Sequence, residues 1–297
     1  MSLDRQLMAR ERIVMRPTAR GLRGILQLGR YNHTSAQSGL REHMHLRAME
    51  ICFLVKGRQT YRVGGHNYML RGGEVFVTFP DELHSTGGLP QEKGVLYWMV
   101  LTVSKNGSLF LGLPEHEGAA LLRTLRGIPL RHFHGSWKMK EHLDAFTRLY
   151  HEPSNPLRAC ALANRAVAFL LEVIGCSRNP ALRKRTRPLT PVLDHIQNHL
   201  DEPLGVPELA KRAGLSPARF KVWFKEETGI PPGEYVQRAR IDEACRRLAT
   251  KEATITRIAF DLGFSSSQYF TTVFKRFTGK SPKRKRMLTA KQPDGNV

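Results

Sequence analysis

LAKRAGLSPARFKVWFKEETGIPP, from Leu209 to Pro232, is followed by IAFDLGFSSSQYFTTVFKRFTGKSP, from Ile258 to Pro282, and the two segments are variants of one text. Ala210 pairs with Ala259, Gly214 with Gly263, Phe224 with Phe274, Lys225 with Lys275, Thr228 with Thr278, Gly229 with Gly279 and Pro232 with Pro282. The offset is 49 residues before the central turn and 50 after it. A repeated basic unit with a helix-glycine-helix pattern predicts two helix-turn-helix modules, the fold element that places a helix in the DNA major groove.

Working outward, the spacing predicts helices over 192–200 and 206–213, a turn at Gly214, and a third helix from the Ser216 cap to the Thr228-Gly229 stop. A long helix over 233–249 leads to the second copy, where 255–262 precedes Gly263 and Ser265 or Ser266 caps a helix ending at Thr278-Gly279. Phe220, Trp223 and Phe224 form the inward stripe of the first copy, and Phe270, Val273 and Phe274 that of the second. That leaves Ala218, Arg219, Lys221 and Val222, and then Ser267, Gln268, Thr271 and Thr272, for base edges. Lys221 suits guanine O6 and N7, Gln268 suits adenine, and Ala218 or the Thr methyls suit thymine methyls. Lys225, Lys275, Arg276 and Lys280 lie further along and suit phosphates.

Bulk numbers agree with a polyanionic partner. The 297 residues carry a formal net charge of +21 at 41% apolar content, which describes a globular chain long enough for two cores. In residues 178–297, 24 Lys and Arg face 12 Asp and Glu, so positive charge is densest around the repeat. Cys52, Cys160, Cys176 and Cys245 show no CxxC spacing and read as reduced core thiols of a cytoplasmic protein. No run of 18 apolar residues appears, so neither membrane insertion nor export is expected.

Upstream, the texture changes. Residues 1–20 hold five arginines without periodicity and read as a loose basic arm. From 21 to 112, short runs such as ICFLV, VFVTF and VLYWMVLTV alternate with glycine turns, the pattern of an all-β sandwich or barrel. Residues 113–176 switch to helical periodicity, and the last helix, rich in Leu and Val on several sides, packs on the barrel or on a second copy in a homodimer. Residues 177–189 form a basic, proline-containing linker, 190–286 the double helix-turn-helix domain, and 287–297 a tail.

Within the β region stand His43-x-His45-x4-Glu50 and, eleven residues after Gly73, His84. His43 and His45 share a face of a strand, and a bend between Leu46 and Met49 brings Glu50 to them. Three imidazoles and a carboxylate suit Zn, Ni, Mn or Fe(II), or a polar ligand without metal, or a hydrogen-bonded network. This order resembles the cupin domain, a jelly-roll barrel, although Gly39 stands closer to His43 than the cupin pattern asks and Pro80-Asp81-Glu82 replaces its Pro-Gly turn.

Residues 190–286 resemble the AraC/XylS-type DNA-binding domain, each half closing with F-K-x-x-T-G-x-x-P at Phe224–Pro232 and Phe274–Pro282. With the cupin-like front, the resemblance spans nearly the whole chain. It implies a transcription factor, not an enzyme, that binds double-stranded DNA as a homodimer, works with RNA polymerase and answers to a small effector. Tyr31, Arg41, His43, His45, Glu50, His84, Tyr97 and Trp98 offer the polar edges and aromatic faces a carbohydrate effector would use. The competing class is a metal-dependent cupin dioxygenase or isomerase with a DNA-binding appendix; no acid/base system accompanies its four ligands. After Pro282 the family's short helix is replaced by Lys283-Arg284-Lys285-Arg286, a phosphate clamp or a frayed end.

Overall fold

The computed structural model describes residues 11–103, 110–178, 189–250 and 253–289. The chain divides into two compact units, Met1–His33 with Gly39–Lys184, and Thr34–Ser38 with Arg185–Val297.

Eight antiparallel strands build the first unit: β1 (Arg12–Met15), β2 (Ile25–His33), β3 (Ala48–Val63), β4 (His66–Arg71), β5 (Glu74–Thr78), β6 (His84–Ser85), β7 (Gly94–Thr102) and β8 (His132–His134). The main sheet runs β1-β2-β7-β3-β5-β8, and β4 and β6 pair with β3 off this path. β3 is the shared member: Glu50–Leu54 pairs with β5 and β7, and Arg58–Val63 pairs with β4 and β6. The transfer occurs at a register shift between Leu54 and Lys56. Gly57 makes it possible, because at φ 106° a Cβ there would meet Lys93 O at 2.5 Å.

Alternation along these strands creates two cores. One face sends Tyr31, Cys52, Leu54, Tyr61, Phe76, Leu96 and Trp98 into the barrel interior. The other sends Leu28, Ile51, Phe53, Val75, Tyr97 and Met99 against three helices, α1 (Glu115–Arg126), α2 (Trp137–His151) and α3 (Arg158–Arg178). The open choice for the last helix is thus resolved in part. Leu162, Phe169, Leu170 and Val173 of α3 are buried in the intrachain core, whereas Cys160, Asn164 and Leu171 stay exposed. By length and composition α3 could also cross a bilayer, but this buried face is that of a core helix.

Several sequence expectations change here. The arm over 1–20 is a strand and a 3-10 turn from Arg12 to Arg20, with Ile13 and Met15 buried; residues 1–10 lie outside the described ones. The helical stretch 113–176 contributes β8, whose Phe133 is buried. Ser177 and Arg178 belong to α3, and the rest of the expected linker up to residue 188 lies outside the described residues. Of the four free cysteines, only Cys52 and Cys176 are core thiols; Cys160 is exposed and Cys245 half-buried.

Among the described residues from 189 onward, the elements of the second unit are helices: α4 (Thr190–Asn198), α5 (Val206–Arg212), α6 (Pro217–Thr228), α7 (Pro232–Thr250), α8 (Ile255–Asp261), α9 (Ser267–Thr278) and α10 (Pro282–Thr289). The sequence repeat is a hydrogen-bond repeat. Leu215 N donates to Ala210 O at 3.0 Å and Phe264 N to Ala259 O at 3.1 Å, closing the two turns at Gly214 and Gly263. Ser216 caps α6 through the Arg219 N–H, and Ser266, not Ser265, caps α9 through the Tyr269 N–H. Thr228 Oγ1 bonds to the carbonyls of Phe224 and Ile230 (2.7 and 2.9 Å), and Thr278 Oγ1 to those of Phe274 and Lys280 (2.8 and 2.9 Å). Gly229 and Gly279 then leave in the left-handed conformation.

α7 joins the copies. Its Arg240 donates to Leu200 O, Glu202 O and Gly263 O at 2.8, 2.7 and 3.1 Å, spanning the α4–α5 connection and the turn of the second module. The four cations after Pro282 do not replace a helix; they are the first turns of α10, capped by Ser281 Oγ accepting from Arg284 N. Ser281 O also accepts from Lys285 N, so backbone closure outweighs repulsion among like charges.

Candidate effector site and nucleic-acid interface

His43 and His45 do not lie on a regular strand. His43 forms an isolated bridge with His84, exchanging two main-chain hydrogen bonds at 2.9 and 3.0 Å. The chain then turns through Leu46-Arg47, with Arg47 at φ 51° and its N–H held by Asp81 Oδ1 at 2.8 Å. That turn supplies the expected bend and starts β3 with Glu50, Cys52 and Leu54 on the inner face.

The four side chains converge. Ligand atoms of His43, His45 and His84 lie within 4.8 Å of one another, and Glu50 Oε2 stands 3.2 Å from His84 Nε2 and 4.0 Å from His45 Nε2. His43 Nδ1 meets Arg41 O at 2.8 Å and His84 Nδ1 meets Glu82 O at 3.1 Å. A carbonyl can only accept, so Nδ1 carries the proton in both rings. The Nε2 atoms of His45 and His84 are buried without an aligned hydrogen bond. In His84 a lone pair therefore faces a carboxylate, an arrangement stabilised by positive charge between them, either a second proton or a cation. Burial pulls the His84 pKa down, yet Glu50 and Glu82 outweigh it and hold it above the ordinary value. Burial lowers that of His45 against the opposing pull of Glu50. A divalent cation fits this donor set: two or three neutral Nε2 donors, a carboxylate, and carbonyls fixing two of the rings.

Other expected effector residues scatter. Tyr31 and Trp98 are buried in the barrel interior. Tyr97 leaves the set, since adjacent strand residues face opposite sides; its hydroxyl donates to Asp144 of α2. Arg41 contributes its carbonyl to His43, while its exposed side chain lines a different cavity.

On the second unit, Ala218, Arg219, Lys221, Val222 and Lys225 are exposed along α6, with Phe220, Trp223 and Phe224 buried behind them. On α9, Gln268, Thr272, Lys275 and, just past its end, Lys280 are exposed; Ser267 and Thr271 are half-buried. The Thr271 and Thr272 hydroxyls bond back to Ser267 O and Gln268 O. Arg276 is half-buried, donates to Gln237 Oε1 at 2.6 Å and stacks on Phe277. It holds α9 on α7, a task that competes with the phosphate role expected of it. Tyr269, absent from the expected set, is 45% exposed beside Gln268, and its hydroxyl accepts from Gln237 Nε2 at 2.9 Å. Its signal was an aromatic residue outside the inward stripe.

Two capped modules exposing their third helices, preceded in the chain by a β unit with a polar inner cluster, define a DNA-binding transcriptional regulator with a ligand-binding domain. Comparison with known proteins narrows this. Residues 27–166 match the AraC-like ligand binding domain and residues 209–287 a helix-turn-helix domain. The chain belongs to the AraC family of transcriptional regulators. It is 28% identical to the uncharacterized HTH-type transcriptional regulator YfiF of Bacillus subtilis over 78% of this chain and 74% of that one. It is 29% identical to the HTH-type transcriptional activator RhaS of Yersinia pestis over 83% and 89%. Among solved structures, the DNA-binding domain of AdpA in complex with a target DNA is 32% identical, covering 37% of this chain and all of that one at a TM-score of 0.35.

Proposed function

We propose that this regulator reads two adjacent major-groove segments with α6 and α9, and that its front unit makes the reading conditional on a small effector bound beside the His43, His45, His84 and Glu50 cluster. The carrying observation is the repeat itself: hydrogen bonds matched to within about 0.1 Å in the two modules, beneath outward faces that differ. Ala218, Arg219, Lys221 and Val222 meet one set of base edges; Ser267, Gln268, Thr271 and Thr272 meet the other. Lys225, Lys275, Arg276 and Lys280 sit toward phosphates.

The effector is a polar molecule of carbohydrate type, with the aromatic faces of Tyr31 and Trp98 behind the cluster. A Zn, Ni, Mn or Fe ion held by the three imidazoles and Glu50 would supply a Lewis-acidic anchor for an effector hydroxyl or carboxylate. The exposed edge of α3, with Leu171 at 56%, suits a homodimer contact, and the regulator works in the cytoplasm with RNA polymerase. Footprinting with and without candidate sugars tests the reading. Protection of a discrete site with two unlike half-sequences, altered by an effector, supports it; protection without sequence preference refutes it.

A further inference from the structure

The first unit carries a recess lined in part by Ser85, the β6 neighbour of His84. Its volume is about 620 Å³, inside the span of roughly 300–1,000 Å³ usual for small-molecule sites. Arg41, Glu42, Arg62, Leu83, Ser85 and the turn glycines Gly64, Gly65, Gly87 and Gly88 line it.

Its walls are fixed before any ligand arrives. Arg62 sits in β3 between Asn67 of β4 and Ser85 of β6, so the three side chains stand in one row across three strands. Tyr61 and Val63 on either side point into the barrel, which sends Arg62 outward. The Arg41 loop is pinned to β6 by the His43–His84 bridge and by Thr86 N donating to Leu40 O at 3.3 Å. Fully buried Thr86 also donates through Oγ1 to Leu89 O at 2.5 Å. Ser85 Oγ accepts from Gly87 N at 3.1 Å, leaving its own proton to donate.

The charges are unmatched. Among the described residues neither the Arg41 nor the Arg62 side chain has a carboxylate or hydrogen-bonding partner, whereas Arg58, Arg131 and Arg247 elsewhere are paired. Two guanidiniums on one concave wall, with only Glu42 opposing them, favour an anion, and their planar forks match an oxyanion. The Ser85 hydroxyl adds a directional donor beside them.

We infer that this recess binds the oxyanion of a small organic acid or phosphate ester through Arg41 and Arg62. The inference rests on the reading of the front unit as an effector domain and adds an anionic ligand at a place apart from the imidazole cluster. The alternative anion is a DNA phosphate, against which the concavity and the glycine rim argue.

The test uses the full chain with its arginine side chains observed by nitrogen-15 NMR, the Nε–Hε signals being assigned by Arg41→Lys and Arg62→Lys. Glucuronate, glucose 6-phosphate, inorganic phosphate, neutral glucose and a DNA duplex are titrated separately. The expected result is a saturable shift of both signals with at least one anion and none with glucose, weakened about tenfold or more in Arg62→Gln. Shifts with glucose alone, no shift with any anion, unchanged affinity in Arg62→Gln, or movement only with duplex DNA would each overturn it. DNA footprints of the same variants without ligand report separately on the regulator reading, because they do not depend on these arginines.

Discussion

Arg240 Nη1 donates to Gly263 O at 3.1 Å, so the turn of the second helix-turn-helix is fastened to the helix that leaves the first. The fit is close: a Cβ at Gly263 would come within 2.8 Å of Arg240 Nη2 and 2.9 Å of Asp201 O. Arg240→Ala frees three carbonyls at once. We expect a loss of about 1–3 kcal/mol in unfolding free energy, measured by urea denaturation, and a weaker penalty for changing the spacing between half-sites.

Lys221→Ala and Gln268→Ala should each cost about 1–3 kcal/mol at a cognate site and little on random DNA. Titration of both variants against cognate and scrambled duplexes checks this. Equal losses on the two duplexes would reassign the residues to phosphates.

The cations of α10 divide by environment. Lys283 and Arg284 are exposed, while Arg286 donates to Ala253 O at 2.6 Å and is half-buried. Replacing Lys283 and Arg284 by Ala should therefore reduce the slope of log K against log salt by roughly 0.9 for each phosphate these side chains neutralise. Arg286→Ala should lower thermal stability and leave the slope alone.

Dialysis against a chelator should lower the melting temperature of the wild type, and Zn, Ni, Mn or Fe should restore it. His84→Ala should abolish the response, since it removes the buried ring closest to Glu50. A melting temperature indifferent to chelator and metal would assign the cluster to a proton or a polar ligand.

Acid should loosen β8. Burial raises the Glu74 carboxyl, but the His132 ring 2.8 Å away, the Arg71 N–H and the His134 ring bring it below its ordinary 4.5. A depressed carboxylate stabilises the fold above that value, and the contribution is lost as pH falls through the lower native one. Glu74→Gln should be less stable than wild type at neutral pH, and the gap should close in acid. Melting curves across the pH range measure it.

Much of this was written in the chain. The double module could be read because its stops are obligatory: threonine bonding back to the helix and glycine in the left-handed region recur wherever such a helix ends. The convergence of His43, His45, His84 and Glu50 followed from spacing, although the means, a bridge and a turn, replaced the expected strand. β8 escaped notice because three residues between helices carry no period. The cation run hid a helix, since like charges at i and i+3 argue against one while the Ser281 cap is easily overlooked. Tyr97 was misplaced beside Trp98 although strand parity alone separates them.

The unlike faces on α6 and α9 give each subunit a heading. Shifting the chain along the DNA by one module would set Lys221 where Gln268 belongs. Under the proposed reading, the two ends of a site would be told apart by the difference between two halves built on the same frame.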